Sequence, residues 1–295
     1  MIRLPTVILE GKKLPRMILS IQPSSPRRDQ EIYPLMEKTY EMGAWGFDLP
    51  SSKHLKYFKE LRNVTVDDTL IGLCHFEVEV GVSFLGKPLH RFESKVISTI
   101  KKELLPSHLI REILPPSSPV EVFTQKEIDR ITFDSVRFDN ALSLFDPQET
   151  PFLLVGERYG DWLLALGRID LLHEMVSRVK KKGFLPIFSG QWATFVLPKA
   201  KPLDVAAFAI PINKKRSLFD LRQASLLIKK FDKPVISLNP LADGSLLNES
   251  EEAFSFLFDE LKIYAVIAEI TSEGEGKKII EVLKKFPSLI PHHRT

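Results

Sequence analysis

"WGFDLPSSKH" (residues 45–54) runs apolar up to an aspartate and then turns polar at once. An apolar run stopped by Pro-Ser-Ser reads as a short strand, a turn and the start of a helix. Ser51 or Ser52 is the natural cap for that helix, which leaves Asp48 inside the strand. Asp48 is therefore either a carboxylate at the C-terminal end of a sheet, where chemistry gathers, or a second cap. The rest of the chain decides between these.

Seven more runs share the character of this one: "RMILSI" (16–21), "TLIGLCHF" (69–76), "PFLLVGE" (151–157), "FLPIFSG" (184–190), "VAAFAIPI" (205–212), "PVISLN" (234–239) and "YAVIAEI" (264–270). Most have apolar neighbours at consecutive positions, as strands buried on both faces do. Amphipathic stretches separate them: "EIYPLMEKTYEMG", "DWLLALGRIDLLHEMVSRVKKKG", "SLFDLRQASLLIKKF" and "EEAFSFLFDELK". Gly43 and Gly183 fall where helices should end. Eight strands alternating with helices in 295 residues predict an α/β fold, a (β/α)8 TIM barrel spanning 1–295 as a single domain. An open doubly wound sheet is the alternative, but no G-x-G-x-x-G follows the first strand.

The rhythm breaks over 77–150, too long for one strand-to-helix connection, so this segment elaborates the barrel after strand three. Within it "EVEVGVSFLGKPLHRF" alternates like a hairpin, "ESKVISTIKKELL" reads as a helix, and "VRFDNALSLFDPQET" after "PPSSP" (115–119) reads as irregular. Ahead of strand one, "TVILEGKKLPRM" reads as an N-terminal hairpin turning at Gly11.

Composition narrows the function classes. Hydrophobic residues at 44% and charged residues at 27% suit a globular chain with a sizeable core. Lys and Arg number 41 against 38 Asp and Glu, too balanced for nucleic acid as the main partner. The lysine runs at 180–182, 277–278 and 284–285 read as solvated helix faces. One cysteine, Cys74, excludes an intramolecular disulfide and a cysteine-based zinc cluster. No apolar run reaches the ~18–20 residues of a membrane span, and no signal-peptide core opens the chain, so a cytoplasmic location without membrane partners is expected.

A barrel places its chemistry where the strands' C-terminal ends converge. The polar residues there are Gln22, Asp48, Cys74 with His75 and Glu77, Glu157 with Arg158, Ser189 with Gln191, Asn213, Asn239 with Asp243, and Glu269 with Thr271 and Ser272. Cys74 and His75 are neighbours on a strand and so point to opposite faces, which rules out a direct dyad. His75, Glu77, Asp48, Glu157 and Glu269 together have the mixed character of a divalent-metal site, but no H-x-x-E-H spacing supports one, and no metal ligand is assigned. "SEGEGKK" (272–278) opens the last helix; it places N–H groups and Lys277 on a phosphate or is a plain polar loop. "NPLADGSL" (239–246) with Gly244 either admits a ligand closely or is an ordinary turn. His292 and His293 lie in a tail that reads as frayed.

"ILEGKKLPRMILSIQ", "TYEMGAWGFDLPSS", "LPIFSG", "DVAAFAIPIN" and "KPVISLNPLADGSL" together resemble the aldo-keto reductase family, nearly end to end. The resemblance implies the barrel, an NADP cofactor and a small-molecule substrate. It also implies a tyrosine acid whose pKa a lysine and an aspartate lower, with a histidine orienting the substrate carbonyl. Asp48 falls in the aspartate's place. The tyrosine position, five residues on, carries Lys53; the lysine's place is taken by Cys74 or His75; the histidine's falls near Gly156 or Glu157. The Ser-Asn pair after strand five reads Ser189-Gly190, and the loop after strand eight lacks the usual arginine, leaving Lys277 without a planar fork for a 2′-phosphate.

The catalytic candidates are thus Asp48, Lys53 and His75; the cofactor candidates are Ser189, Gln191, Asn239, Leu241, Ser272 and Lys277; Gln22, Glu157, Asn213 and Glu269 complete the mouth. Four functions follow. The chain is a divergent reductase-like barrel without standard carbonyl reductase chemistry, binding a nucleotide or other phosphate-bearing small molecule. It is an NAD(P)H-dependent oxidoreductase with rearranged catalytic residues, or a non-redox, metal-dependent barrel enzyme using His75, Glu157 and Glu269. Or it is a non-catalytic interaction protein. The sequence sets no oligomeric state.

Overall fold

A computed structural model describes residues 2–23, 28–76, 80–104, 121–157, 159–215 and 220–288. Thirteen strands are described. An antiparallel hairpin, β1 (Thr6–Leu9) and β2 (Lys12–Pro15), turns at Gly11, whose φ of +79° suits a residue without a Cβ. The barrel strands are β3 (Met17–Ile21), β4 (Gly46–Leu49), β5 (Ile71–His75), β9 (Phe152–Val155), β10 (Leu185–Ser189), β11 (Ala207–Pro211), β12 (Val235–Leu238) and β13 (Ala265–Ile270). They pair in parallel in that order, and β13 returns to β3 to close the barrel. Each matches one of the eight apolar runs.

Two apolar clusters explain why the runs are continuous rather than alternating. Ile18, Leu73, Phe152, Leu154, Ile187, Ala207, Ala209, Ile236, Ala265 and Ile267 fill the barrel interior. The residues between them, such as Leu19, Phe47, Cys74, Leu153, Phe188, Phe208 and Val266, pack under the surrounding helices. Val7, Leu9 and Leu14 of the hairpin join the interior cluster, so the hairpin plugs the N-terminal end of the barrel. The opposite end stays open.

The elaboration after β5 is a lobe around a three-stranded antiparallel sheet, order β7 (Lys87–Pro88), β6 (Val82–Phe84), β8 (Ile131–Phe133). Phe84 packs edge-on against Phe92 and Phe123, with ring centroids 4.9 and 5.0 Å apart. Phe76, leaving β5, meets Phe138 at 4.5 Å and so ties the lobe to the barrel. The Arg168 guanidinium donates to the carbonyls of Ile128 and Ile131, at 2.9 and 2.7 Å, and fixes the lobe's other side.

Three local expectations are corrected. The stretch 161–183 is two helices, Gly160–Ala165 and Ile169–Lys181, because Gly167 takes a φ of +73° between them. The stretch 136–150 is not irregular throughout: Ser135–Leu142 is a helix, capped by Asp134 Oδ1 accepting from Arg137 N at 3.0 Å, with Phe138 and Leu142 buried one turn apart. "EEAFSFLFDELK" changes from an α-turn (Ser250–Ser255) to a π-turn (Phe256–Glu260), which lets adjacent Leu257 and Phe258 both face the core. Glu77, Arg158, the "PPSSP" stretch, His292 and His293 lie outside the described residues. No described helix is long and apolar enough to cross a membrane.

Candidate functional site

The inward period of each strand, carried one or two residues past its end, builds the mouth. β3 presents Ile18, Ser20 and then Gln22; β5 presents Leu73 and His75; β13 presents Ala265, Ile267 and Glu269. Together with Asp48, Glu157, Ser189, Gln191, Asn213 and Asn239, these line a cavity of about 520 Å³ at the C-terminal end of the barrel. Pro50, Leu154, Pro211, Leu238 and Ile267 supply apolar wall. The size falls within the usual range for a small-molecule site.

One hydrogen-bonded line organises its base. Gln22 Nε2 donates to Ser20 Oγ at 3.1 Å, and Ser20 Oγ donates to Asp48 Oδ2 at 2.8 Å. His75 Nε2 donates to Asp48 Oδ1, and His75 Nδ1 donates to Glu157 Oε2 at 2.8 Å. Both ring nitrogens thus face carboxylates, which accept only, so the ring is an imidazolium. Burial works against that charge, but Asp48 and then Glu157 outweigh it and push the His75 pKa up to about 10. Asp48 is 3% exposed, whereas the Glu157 side chain is 47% exposed. The line therefore runs from a buried anion, through a fixed cation, to a carboxylate open to the cavity.

Local structure holds these groups. Ser51 caps the helix Ser52–Thr65, and His54 on its first turn joins Ser51 Oγ and the carbonyl of Ile21, each at 2.8 Å. Gly156, at φ +89°, turns the chain to Glu157; a Cβ there would lie 2.7 Å from the Phe188 ring. Asp161, buried and with its pKa raised by that burial, accepts from Gln191 N at 2.8 Å and Trp192 N at 3.3 Å, setting the loop after β10. Asn213 Nδ2 donates to the carbonyl of Asn239 at 3.1 Å, and Asn239 and Asp243 bond each other within a loop of left-handed residues. Lobe residue His90 reaches the Tyr159 hydroxyl at 3.3 Å, two residues from Glu157.

Not every candidate converges here. Lys53 lies on the outside of its helix, ion-paired to Asp29 and 60% exposed, and does not line the cavity. Ser272 caps the helix Glu273–Leu283, accepting from Glu275 N at 3.4 Å, while Glu275 Oε2 accepts from Thr271 N at 2.7 Å. That helix start is thus occupied by its own side chains. Lys277 lines a separate shallow groove beside Ile2, Glu41 and Met42. Leu241 is buried. Cys74 faces the outer core, its thiol pushed up to about 12 by burial. Among the described residues no three His, Cys, Asp or Glu side chains are arranged to hold a metal ion, and His75 already commits both nitrogens to carboxylates. Sequence reading passed over Ser20, although its inward place between Ile18 and Gln22 marks it. It also passed over His54 and Asp161, whose partners are long-range and leave no local sign.

Superposed on solved structures, the chain matches the holo form of aldo-keto reductase AKR11C1 from Bacillus halodurans with a TM-score of 0.55 at 11% identity, covering 97% of this chain and 93% of that one. A Pseudomonas aeruginosa protein classed provisionally with the aldo-keto reductases gives 0.54 at 12%, covering 93% and 91%. The fold is that of the aldo-keto reductases. No protein-family model and no curated protein matches the sequence. Of the residues near the places the resemblance gives to a lysine (Cys74 or His75) and a histidine (Gly156 or Glu157), His75 and Glu157 line the cavity and bond each other, and His75 also bonds Asp48. No tyrosine lines the cavity among the described residues.

Proposed function

We propose that this aldo-keto-reductase-like barrel binds a small polar molecule at its C-terminal mouth, and that Glu157 exchanges protons with it in place of tyrosine-based carbonyl reduction. The observation that carries the reading is His75 held between Asp48 and Glu157 at the base of the cavity. A histidine with its pKa near 10 keeps its proton at neutral pH, so it acts as a fixed positive charge rather than a base. Glu157, oriented by that charge and half in solvent, is the carboxylate a ligand can reach. The single buried cysteine agrees with a cytoplasmic setting.

A second reading keeps the nicotinamide chemistry. Asp48 still pairs with a cation, as the family's aspartate would with its lysine, so His75 with Asp48 is the rearranged acid and NADP the cofactor. Phosphate recognition through Ser272 and Lys277 has little support, because Glu275 occupies the helix start and Lys277 lies in another groove. Two titrations separate these readings. A thermal-shift screen of neutral and charged polar compounds should find stabilisers of the wild type whose effect disappears in Glu157→Gln. NADPH binding followed by nicotinamide fluorescence, lost in Asp48→Asn, would instead favour the oxidoreductase. A screen whose stabilisers act equally on the wild type and Glu157→Gln contradicts the first reading.

A further inference from the structure

Three carboxylates line the described part of the mouth, and two of them have partners among the described residues. Asp48 accepts from Ser20 and His75, and Glu157 accepts from His75. Glu269 makes no hydrogen bond or ion pair among the described residues, although it stands on the inward face of β13, in register with Ser20. Counted in either direction around the barrel, β13 lies four strands from β9, so Glu269 faces the Glu157 side across the cavity. Its side chain is exposed at the opening, and partial desolvation by the surrounding walls, then Asp243 and Asp48, raise its pKa. A single imidazolium thus answers three carboxylates in the described lining, and the excess lies on Glu269.

A second observation is independent of charge. Ser189, on the inward face of β10 between the two sides, is fully buried, and its Oγ has no hydrogen-bond partner among the described residues. A buried hydroxyl left unmatched costs stability unless something in the cavity completes it. The same cavity of about 520 Å³ holds both groups, with polar side chains interleaved with the apolar wall of Pro50, Leu154, Pro211, Leu238 and Ile267.

We infer that the mouth is shaped for a small ammonium-bearing molecule, its charge held by Glu269 across the cavity from Glu157 and a polar group of it reaching Ser189. The inference rests on the small-molecule reading above and adds the ligand's charge. An ammonium supplies the partner that Glu269 lacks, and an anionic ligand would add to the uncompensated charge.

The test uses the full chain and paired probes: tris(hydroxymethyl)aminomethane against pentaerythritol, and glucosamine against glucose, by calorimetric titration at a pH where both amines are protonated. The cations should bind at least about tenfold more tightly than their neutral counterparts, a difference of about 1.4 kcal/mol. Glu269→Gln should erase that preference, and Ser189→Ala should weaken binding of the cations several-fold. Circular dichroism and melting establish that both variants are folded. Equal binding of the neutral counterparts, a preference that survives Glu269→Gln, or no binding by either amine overturns the inference. So does a calcium chloride titration whose heat disappears in Glu269→Gln while the amines give none. If neutral compounds bind and depend on Glu157 but not on Glu269, the inference fails and the proposed function stands. If Glu157→Gln changes the binding of no compound, the proposed function fails too.

Discussion

The two ends of this barrel each bury a cation and treat it in opposite ways. At the plugged end, Arg16 is 2% exposed, lies 4.0 Å from the centroid of the Phe258 ring, donates to the carbonyl of Pro287 at 2.7 Å, and leaves its Nε unmatched among the described residues. Burial presses its pKa down to about 10, with Asp259 only partly offsetting it. At the open end, His75 is raised to about the same value, because two carboxylates bond its two nitrogens. The floor tolerates its charge by stacking, as a structural side chain does. The mouth builds its charge from three separate strand ends, which packing alone does not require.

The largest effect should come from breaking the mouth's pair. Asp48→Asn leaves a buried imidazolium without its main anion and should cost about 3–5 kcal/mol in denaturant unfolding; a cost below about 1 kcal/mol would mean that the pair is not formed. Next comes pH. Because the folded pKa of His75 lies above its ordinary 6.5, its contribution is complete below that value and is lost as pH rises toward about 10. The wild type should therefore lose stability over that window, and His75→Gln should show a flatter profile over the same range. Arg16→Met keeps apolar contact with Phe258 while removing a buried charge, so a loss near 1 kcal/mol is expected. A loss as large as that of Asp48→Asn would show that the floor depends on its charge as the mouth does. The smallest effect has the opposite sign: Glu269→Gln removes an uncompensated charge and should raise the melting temperature slightly at neutral pH, an increase that fades in acid as the carboxyl of the wild type takes up its proton.

The barrel was legible because each strand is a short apolar run bounded by turn residues, and burial on both faces keeps those runs unbroken. Strand ends placed Gln22, Asp48, His75, Glu157, Ser189 and Glu269 around one opening, since the two-residue period carries past the last ladder bond. Lys53 shows where counting fails: five residues beyond Asp48 the chain is already helical, and its side chain turns outward to Asp29. Lys277 shows the same at the last helix, where it points along the outer groove. Pairings across long separations, such as His75 with Glu157, leave no trace in a single sequence, and neither does the kink at Gly167 that divides a continuous amphipathic pattern.

Titration of His75 itself tests whether it stands as a fixed cation between Asp48 and Glu157. With the imidazole carbons labelled, the His75 ring resonances followed by NMR from pH 5 to 11 should hold at imidazolium positions through neutrality. They should move only as pH approaches about 10. A midpoint near the ordinary 6.5 would show that the ring is neutral at physiological pH and would contradict this account of the mouth.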